Sequence, residues 1–334
     1  YLSLSLTISH YLSLSLTISH YLTLSPYLTI SISPYLPISL SLTMSLTHSQ
    51  LKSLCQQYGL VPSKQYGQNY LINDGIVTKI INAAGMEPSD IVIEIGPGFG
   101  VLTLELVKKA EKVIALEIEK KLMPYWEDLE IRDKEIRDKI ELRWGNALKN
   151  LSPISHLLSH YKLIANLPYQ ITSQILRTIL ELQNKPSLIV VMVQKEVAQR
   201  ICAKPPDMSL LALSVQYYGK PEIVDFVTKG NFWPTPKVDS AILRVTLAPA
   251  RNATHSVAGG PEHFSTLAPE LFFRFAKAGF GQKRKQLWRN LAEGLKLDGN
   301  KVKEVLKNVM GDEKVRAEEL GVEEWGRVIH SLSL

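Results

Sequence analysis

From Ile91 the chain reads Ile91-Val92-Ile93-Glu94-Ile95-Gly96-Pro97-Gly98-Phe99-Gly100, and then Val101-Leu102-Thr103-Leu104-Glu105-Leu106-Val107. The first five residues are a short β-branched run of strand length. The three glycines stop it, and apolar residues resume at helical spacing, so the stretch reads as strand, glycine turn, helix. Such a turn at the carboxyl end of a first parallel strand lets a nucleotide-like ligand approach the backbone closely, as in doubly wound α/β sheets. A dinucleotide fingerprint would put its third glycine at Val101, so NAD fits poorly, and no G-x-x-x-x-G-K-[ST] phosphate loop is present.

Downstream, Lys112-Val113-Ile114-Ala115-Leu116 reads as the next strand and ends at Glu117. An acidic side chain there can accept hydrogen bonds from both ribose hydroxyls of an adenosine, although a solvated strand-end charge is the other reading. A later strand, Tyr161-Lys162-Leu163-Ile164-Ala165, runs into Asn166-Leu167-Pro168-Tyr169. Methylating an exocyclic adenine amine requires drawing its lone pair out of conjugation with the ring. An amide oxygen and a backbone carbonyl do this by accepting both N–H bonds. Asn166 supplies the amide oxygen, Pro168 fixes the turn so that the Leu167 carbonyl aims at the same amine, and Tyr169 offers a ring for a flipped base. Alone, the tetrapeptide could equally be an Asn-x-Pro turn closing a buried strand.

The chain has 334 residues, 45% apolar and 21% charged, with a net charge of +6 and a sequence pI of about 9.1. That balance is globular, and the excess of cations points weakly to a polyanionic partner. Cys55 and Cys202 have no Cys or His at ligand spacing, so neither a disulfide framework nor a zinc site is expected. No Lys, Arg, Asp or Glu precedes Lys52, and Tyr1–His10 is repeated as Tyr11–His20. Residues 1–50 therefore read as a low-complexity leader or a mis-assigned start without a role in function, the alternative being an aggregation-prone or surface-anchoring β segment. Ser or Thr at every second position rules out an apolar membrane span. Residues 249–262 have linker composition, and beyond them the pattern is helical and basic. Arg274, Lys277, Lys283, Arg284, Lys285, Arg289 and Lys296 stand there with Phe275, Phe280 and Trp288 among them. This is the texture of a helical module on RNA phosphates, or else of a solvated basic helix. The repeated Ile-Arg-Asp-Lys of Ile131–Lys139 is expected to be an exposed, charged helix extension.

Glu94-x-Gly96-x-Gly98-x-Gly100 followed by Glu117 resembles S-adenosylmethionine-dependent methyltransferases. With Gly67-Gln68-Asn69-Tyr70-Leu71, Asn166-Leu167-Pro168-Tyr169, Gln194-Lys195-Glu196-Val197, Phe232-x-Pro234-x-Pro236-x-Val238-Asp239-Ser240 and Phe280-Gly281-Gln282-Lys283-Arg284-Lys285, the chain resembles the ribosomal RNA adenine N6,N6-dimethyltransferases over about residues 60–330. The resemblance implies an α/β, Rossmann-like methyltransferase domain at 52–248 and a small C-terminal all-helical RNA-binding domain at 263–334. It implies methyl transfer from S-adenosylmethionine, without a metal, to two adjacent adenines in the 3′-terminal hairpin of small-subunit (16S) rRNA. A cytoplasmic monomer acting on the rRNA or a 30S precursor, with no membrane, is the corresponding expectation.

Residue by residue, the resemblance puts Asn69 and Leu71 over the cofactor, Gly96 and Gly98 beneath it and Glu117 on the ribose. Asn166, Leu167, Pro168 and Tyr169 fall at the target amine, with Phe232 facing Tyr169 across the base. Lys195, Arg200, Lys283, Arg284 and Lys285 are the expected RNA-binding residues, Lys195 and Arg200 being equally readable as the polar edge of a helix. Asn146 stands where the family usually has an Asp at the cofactor adenine. Lys204-Pro205-Pro206-Asp207-Met208-Ser209 replaces the family's usual glycine-containing turn. Two rival functions remain at this level. One is the antibiotic-resistance type of enzyme that methylates large-subunit rRNA, and the other is a non-catalytic ribosome-assembly or transcription factor that keeps the fold as an RNA clamp.

Overall fold

The computed structural model describes residues 46–62, 68–247 and 267–333. Residues 1–45, Gly67 and the expected linker 249–262 lie outside the described residues. In chain order the elements begin with α1 (His48–Gln57), β1 (Tyr70–Leu71), α2 (Asp74–Ala84), β2 (Ile91–Ile95), α3 (Thr103–Val107), β3 (Lys112–Glu117), α4 (Met123–Arg132) and α5 (Lys134–Lys139). They continue with β4 (Ile140–Trp144), α6 (Ala147–His156), β5 (Lys162–Asn166), α7 (Thr172–Glu181), β6 (Leu188–Gln194), α8 (Lys195–Ile201) and α9 (Leu210–Tyr218). The last are β7 (Gly219–Val227), β8 (Phe232–Trp233), β9 (Ser240–Leu247), α10 (Pro269–Gly279), α11 (Leu287–Leu295), α12 (Gly299–Met310) and α13 (Val322–Ser333).

Seven strands form one sheet in the order β4-β3-β2-β5-β6-β9-β7. β2 pairs in parallel with β3 on one side and β5 on the other, so the chain order reverses across β2 and opens a crevice at the carboxyl ends of these strands. β9 runs antiparallel to both β6 and β7. The parallel strands are buried on both faces, which is why β2 and β6 read as nearly continuous apolar runs rather than alternating ones. Ile93, Ile95, Leu163, Ala165, Val191 and Val193 pack under α6 to α9 in one large core. Alternation then sends Glu94 to the opposite face.

The folded body starts earlier than the sequence suggests. Residues 46–50, assigned above to the leader, hold the start of α1: Thr47 accepts from the Gln50 amide, and the Gln50 side chain accepts from the Thr47 amide. Leu46, Leu51 and Leu54 are buried, and the His48 ring lies 5.4 Å from that of Trp233. The Ser/Thr-rich texture hides this because a capping box needs only Thr and Gln, which carry no charge contrast. Cys55 is buried on the same helix and its thiol is pushed up to about 11 by burial, so it packs as a small apolar group.

The C-terminal module is welded to the sheet domain through α9. Val215 belongs to the sheet core, while Ala212, Leu213 and Tyr217 join Phe272, Leu287, Leu306 and Trp325 of the helical core. The described residues between 46 and 333 accordingly cluster as one compact unit. The divergent loop at 204–209 belongs to this weld. The Met208 amide donates to the Glu318 carbonyl at 3.0 Å, the Met208 side chain is in the helical core, and Ser209 caps α9. The loop thus clasps the two modules together. Phe275, read above as part of an RNA-facing set, is a core residue, and Phe280 stacks on Trp325 at 6.1 Å. The Ile131–Lys139 segment breaks at Asp133, which caps α5. Its Ile136 is buried, whereas Ile131 stays 78% exposed.

Candidate active site

The crevice at the carboxyl ends of β2, β3, β4 and β5 is a cavity of about 1010 Å³ counting its open mouth. Its floor is the glycine turn. Gly96, Gly98 and Gly100 have φ of +72°, +57° and +81°, values that a residue with a Cβ adopts only under strain. At Gly98 a Cβ would also stand 3.0 Å from the Tyr70 ring. Two side chains of α4 hold the turn from behind, because Trp126 Nε1 donates to the Gly98 carbonyl at 3.0 Å and Tyr125 Oη to the Phe99 carbonyl at 2.9 Å. These clamps were not singled out in the sequence.

The structure brings together around this cavity Asn69, Leu71, Gly96, Gly98, Glu117, Asn146, Asn166, Leu167, Pro168 and Tyr169. Glu117 ends β3 almost fully buried. Its Oε2 accepts from the Gly98 amide at 3.1 Å and its Oε1 from the Glu119 amide at 2.8 Å. Burial raises its pKa and these backbone donors oppose the rise. Asn146 follows β4 and caps α6, its Oδ1 accepting from the Leu148 amide at 2.9 Å. That engages one lone pair of Oδ1 and leaves both the other lone pair and Nδ2 without a protein hydrogen bond among the described residues.

Asn166 ends β5, and its Nδ2 donates to the Asn69 carbonyl at 3.2 Å. The bond fixes the amide plane and leaves Oδ1 without a protein hydrogen bond among the described residues. The Leu167 amide donates to the Met192 carbonyl, while its own carbonyl accepts no backbone hydrogen bond among the described residues. Pro168 accepts from Ile171 and from the Thr172 hydroxyl, locking the turn. Tyr169 is half-buried, its hydroxyl sharing a 2.6 Å hydrogen bond with Ser240 Oγ. Two hydrogen-bond acceptors and one anchored ring therefore stand at the same rim.

Phe232 lies in β8 opposite Leu71 of β1, is fully buried, and is not among the residues lining the cavity. Its neighbour Trp233 packs against Tyr70 and His48. The expected RNA-binding residues lie off the cavity. Lys195 opens α8 with Nζ 5.0 Å from the exposed Phe226 ring, and the Arg200 Nε donates to Ser209 Oγ at 3.3 Å. Lys283 and Arg284 are exposed in the turn between α10 and α11, and Lys285 pairs with Glu293 at 2.9 Å. Among the described residues no group of three His, Cys, Asp or Glu side chains could hold a metal ion, and no helix is long and apolar enough to cross a membrane.

Glu94 and Tyr70 also line the cavity, though neither was assigned a role from the sequence. The signal for Glu94 was present, since it is the single charge inside a run of β-branched residues. Burial pushes its carboxyl up to about 8, a hydrogen bond from the Thr103 hydroxyl opposing the rise and the charge of Glu117 adding to it. Glu94 Oε2 and Tyr70 Oη are buried without a hydrogen-bond partner among the described residues. The described lining holds two carboxylates and no Lys, Arg or His, which suits a ligand bearing positive charge. These are the groups a nucleoside carrying a sulfonium and an ammonium requires, and a pyrophosphate would find no cationic side chain there.

The ribosomal RNA adenine dimethylase family matches residues 62–333 of this chain. A ribosomal RNA small subunit methyltransferase A from Dehalococcoides mccartyi is 42% identical over 280 residues, covering 83% of this chain and 90% of that protein. A protein of the same name from Clostridioides difficile is 36% identical over 288 residues, covering 84% and 93%. Among solved structures, a dimethyladenosine transferase from Plasmodium falciparum shares the fold with a TM-score of 0.63 at 24% identity, covering 77% of this chain and 95% of that one. The 23S rRNA methyltransferase ErmE does so with a TM-score of 0.62 at 23% identity, covering 80% and 100%. With the glycine turn, the acidic cavity and the Asn166–Tyr169 rim in one crevice, and this match over nearly all of the described body, the chain belongs to the ribosomal RNA adenine dimethylase family of S-adenosylmethionine-dependent methyltransferases.

Proposed function

We propose that the chain methylates the N6 amines of two adjacent adenines in the 3′-terminal hairpin of small-subunit rRNA, as a cytoplasmic monomer acting on a 30S precursor. The observation that carries the reading is the pair of acceptors at the rim, Asn166 Oδ1 and the Leu167 carbonyl, neither of them engaged by the protein among the described residues. Bound S-adenosylmethionine supplies an electrophilic methyl group on a sulfonium. Asn69, Leu71, Gly96, Gly98, Glu117 and Asn146 hold it, Glu117 by its carboxylate and Asn146 by its side-chain amide. Asn166 and Leu167 take the two N–H bonds of the amine, which localises the lone pair and stabilises the positive character that nitrogen gains as the methyl arrives. Tyr169, held by Ser240, stacks on the target base, and the bond fixes the ring at little entropic cost when RNA arrives. Lys195, Arg200, Lys283 and Arg284 meet phosphates, with Lys285 held by Glu293 beside them, so the sheet domain carries the chemistry and the helical module the grip.

Methylation of undermethylated small subunits, read by primer extension through the 3′ hairpin, tests the assignment. Stops at two adjacent adenines support it. Methylation confined to large-subunit rRNA, or none on either subunit, overturns it. For the cofactor side, Glu117→Ala is expected to weaken S-adenosylmethionine binding by about 1–3 kcal/mol, the usual loss for charge-assisted hydrogen bonds. Calorimetric affinity equal to wild type would place Glu117 outside the site.

A further inference from the structure

The cavity contains two carboxylates in different circumstances. Glu117 keeps a backbone N–H on each of its oxygens. Glu94 is only 1% exposed and its Oε2 has no partner. The groups that face Glu94 from neighbouring elements bring no cation. β3 brings the Glu117 carboxylate, which adds to the rise of the Glu94 pKa, and α3 the Thr103 hydroxyl, whose hydrogen bond opposes it. The nearest basic group on an adjoining strand, Lys162, is bound to Asp90 at the opposite end of the sheet. A carboxylate buried with one oxygen unpartnered and no counter-charge is costly, and such a group sheds the cost by holding its proton.

We propose that Glu94 is the counter-ion of the cofactor's positive charge, protonated in the cofactor-free enzyme and ionised once the cation is seated, so that cofactor binding expels a proton. The proposal rests on the methyltransferase reading above and adds to it a charge change at a residue with no assigned role. The raised pKa of Glu94, about 8, agrees with protonation at neutral pH in the absence of the cation. The sign follows from linkage. The cofactor binds the deprotonated form, so affinity rises with pH by up to about tenfold per unit while Glu94 is protonated, and levels off above its cofactor-free pKa. Glu117, whose oxygens already have donors, is not the source of the proton.

Calorimetry of S-adenosylmethionine binding at pH 7 in two buffers of different ionisation enthalpy counts the protons. Roughly one proton released per cofactor is expected in the wild type, falling towards zero at about pH 9. Glu94→Gln keeps the size of the side chain and a neutral head. It should fold, verified by thermal melting, and bind with no proton release and a flat pH profile. A parallel titration with S-adenosylhomocysteine, which keeps the ammonium but lacks the sulfonium, identifies the pole: release with both ligands assigns the ammonium, release with S-adenosylmethionine alone assigns the sulfonium. Binding by the wild type without proton release overturns the proposal and leaves the methyltransferase reading standing. So does release that survives in Glu94→Gln and disappears in Glu117→Gln. A chain that binds neither ligand overturns the methyltransferase reading together with the proposal.

Discussion

Asn166→Ala is expected to lower the single-turnover rate of methyl transfer by about 100- to 1000-fold while RNA affinity barely changes, the usual effect of deleting one preorganised group that stabilises a transition state. The geometry gives the reason. The amide is held by its own Nδ2 bond to the Asn69 carbonyl, so Oδ1 waits at the rim in a fixed direction and loses no freedom when the amine arrives. Its effect falls on the rate because the amine becomes positive only as the new bond forms. Asn166→Asp is the informative companion, since it keeps the oxygen but forfeits the donor to Asn69. Single-turnover methylation at saturating RNA and filter binding on the same variants separate chemistry from grip. Wild-type rates in Asn166→Ala would reduce the Asn166–Tyr169 stretch to a structural turn.

Removing charge at Lys283, Arg284 and Lys285 is expected to do the reverse. RNA binding should weaken on the order of 10- to 100-fold near physiological salt, with single-turnover chemistry at saturating RNA nearly intact. The three positions are not equivalent. Lys283 and Arg284 are exposed in the turn, whereas Lys285 is already engaged by Glu293. Every cation withdrawn from a phosphate lowers the slope of log affinity against log salt by about 1. The double variant Lys283→Gln with Arg284→Gln should therefore lower the slope by about 2, and adding Lys285→Gln should change it little. A salt slope unchanged in the double variant would remove this turn from the RNA interface.

Much of the site was legible along the chain because its determinants are local. A run of β-branched residues, glycines at positions that demand positive φ, and a proline after Asn166 act within a few residues of one another, so strand, turn and rim could be read without knowing what packs on them. Glu117 was legible for a related reason: a fixed interval separates the glycine turn from the end of the next strand in a β-α-β unit.

What the sequence left open depended on partners far along the chain. By itself it determined an α/β body with a basic helical tail and, through the family its motifs resemble, ten of the residues that line the crevice, Glu94 and Tyr70 not among them. Only tertiary structure decided that Phe232 is buried in a strand paired with Leu71, and that the oxygen of Asn146 also caps α6. Only tertiary structure made α9 a shared wall of two cores and turned the 204–209 loop into a clasp on the helical module, joining segments about a hundred residues apart. The same holds for Glu94. Its place in the turn motif was plain, but whether a buried carboxylate finds a donor is settled by every element that closes over it, and in this fold none of the described elements brings a cation.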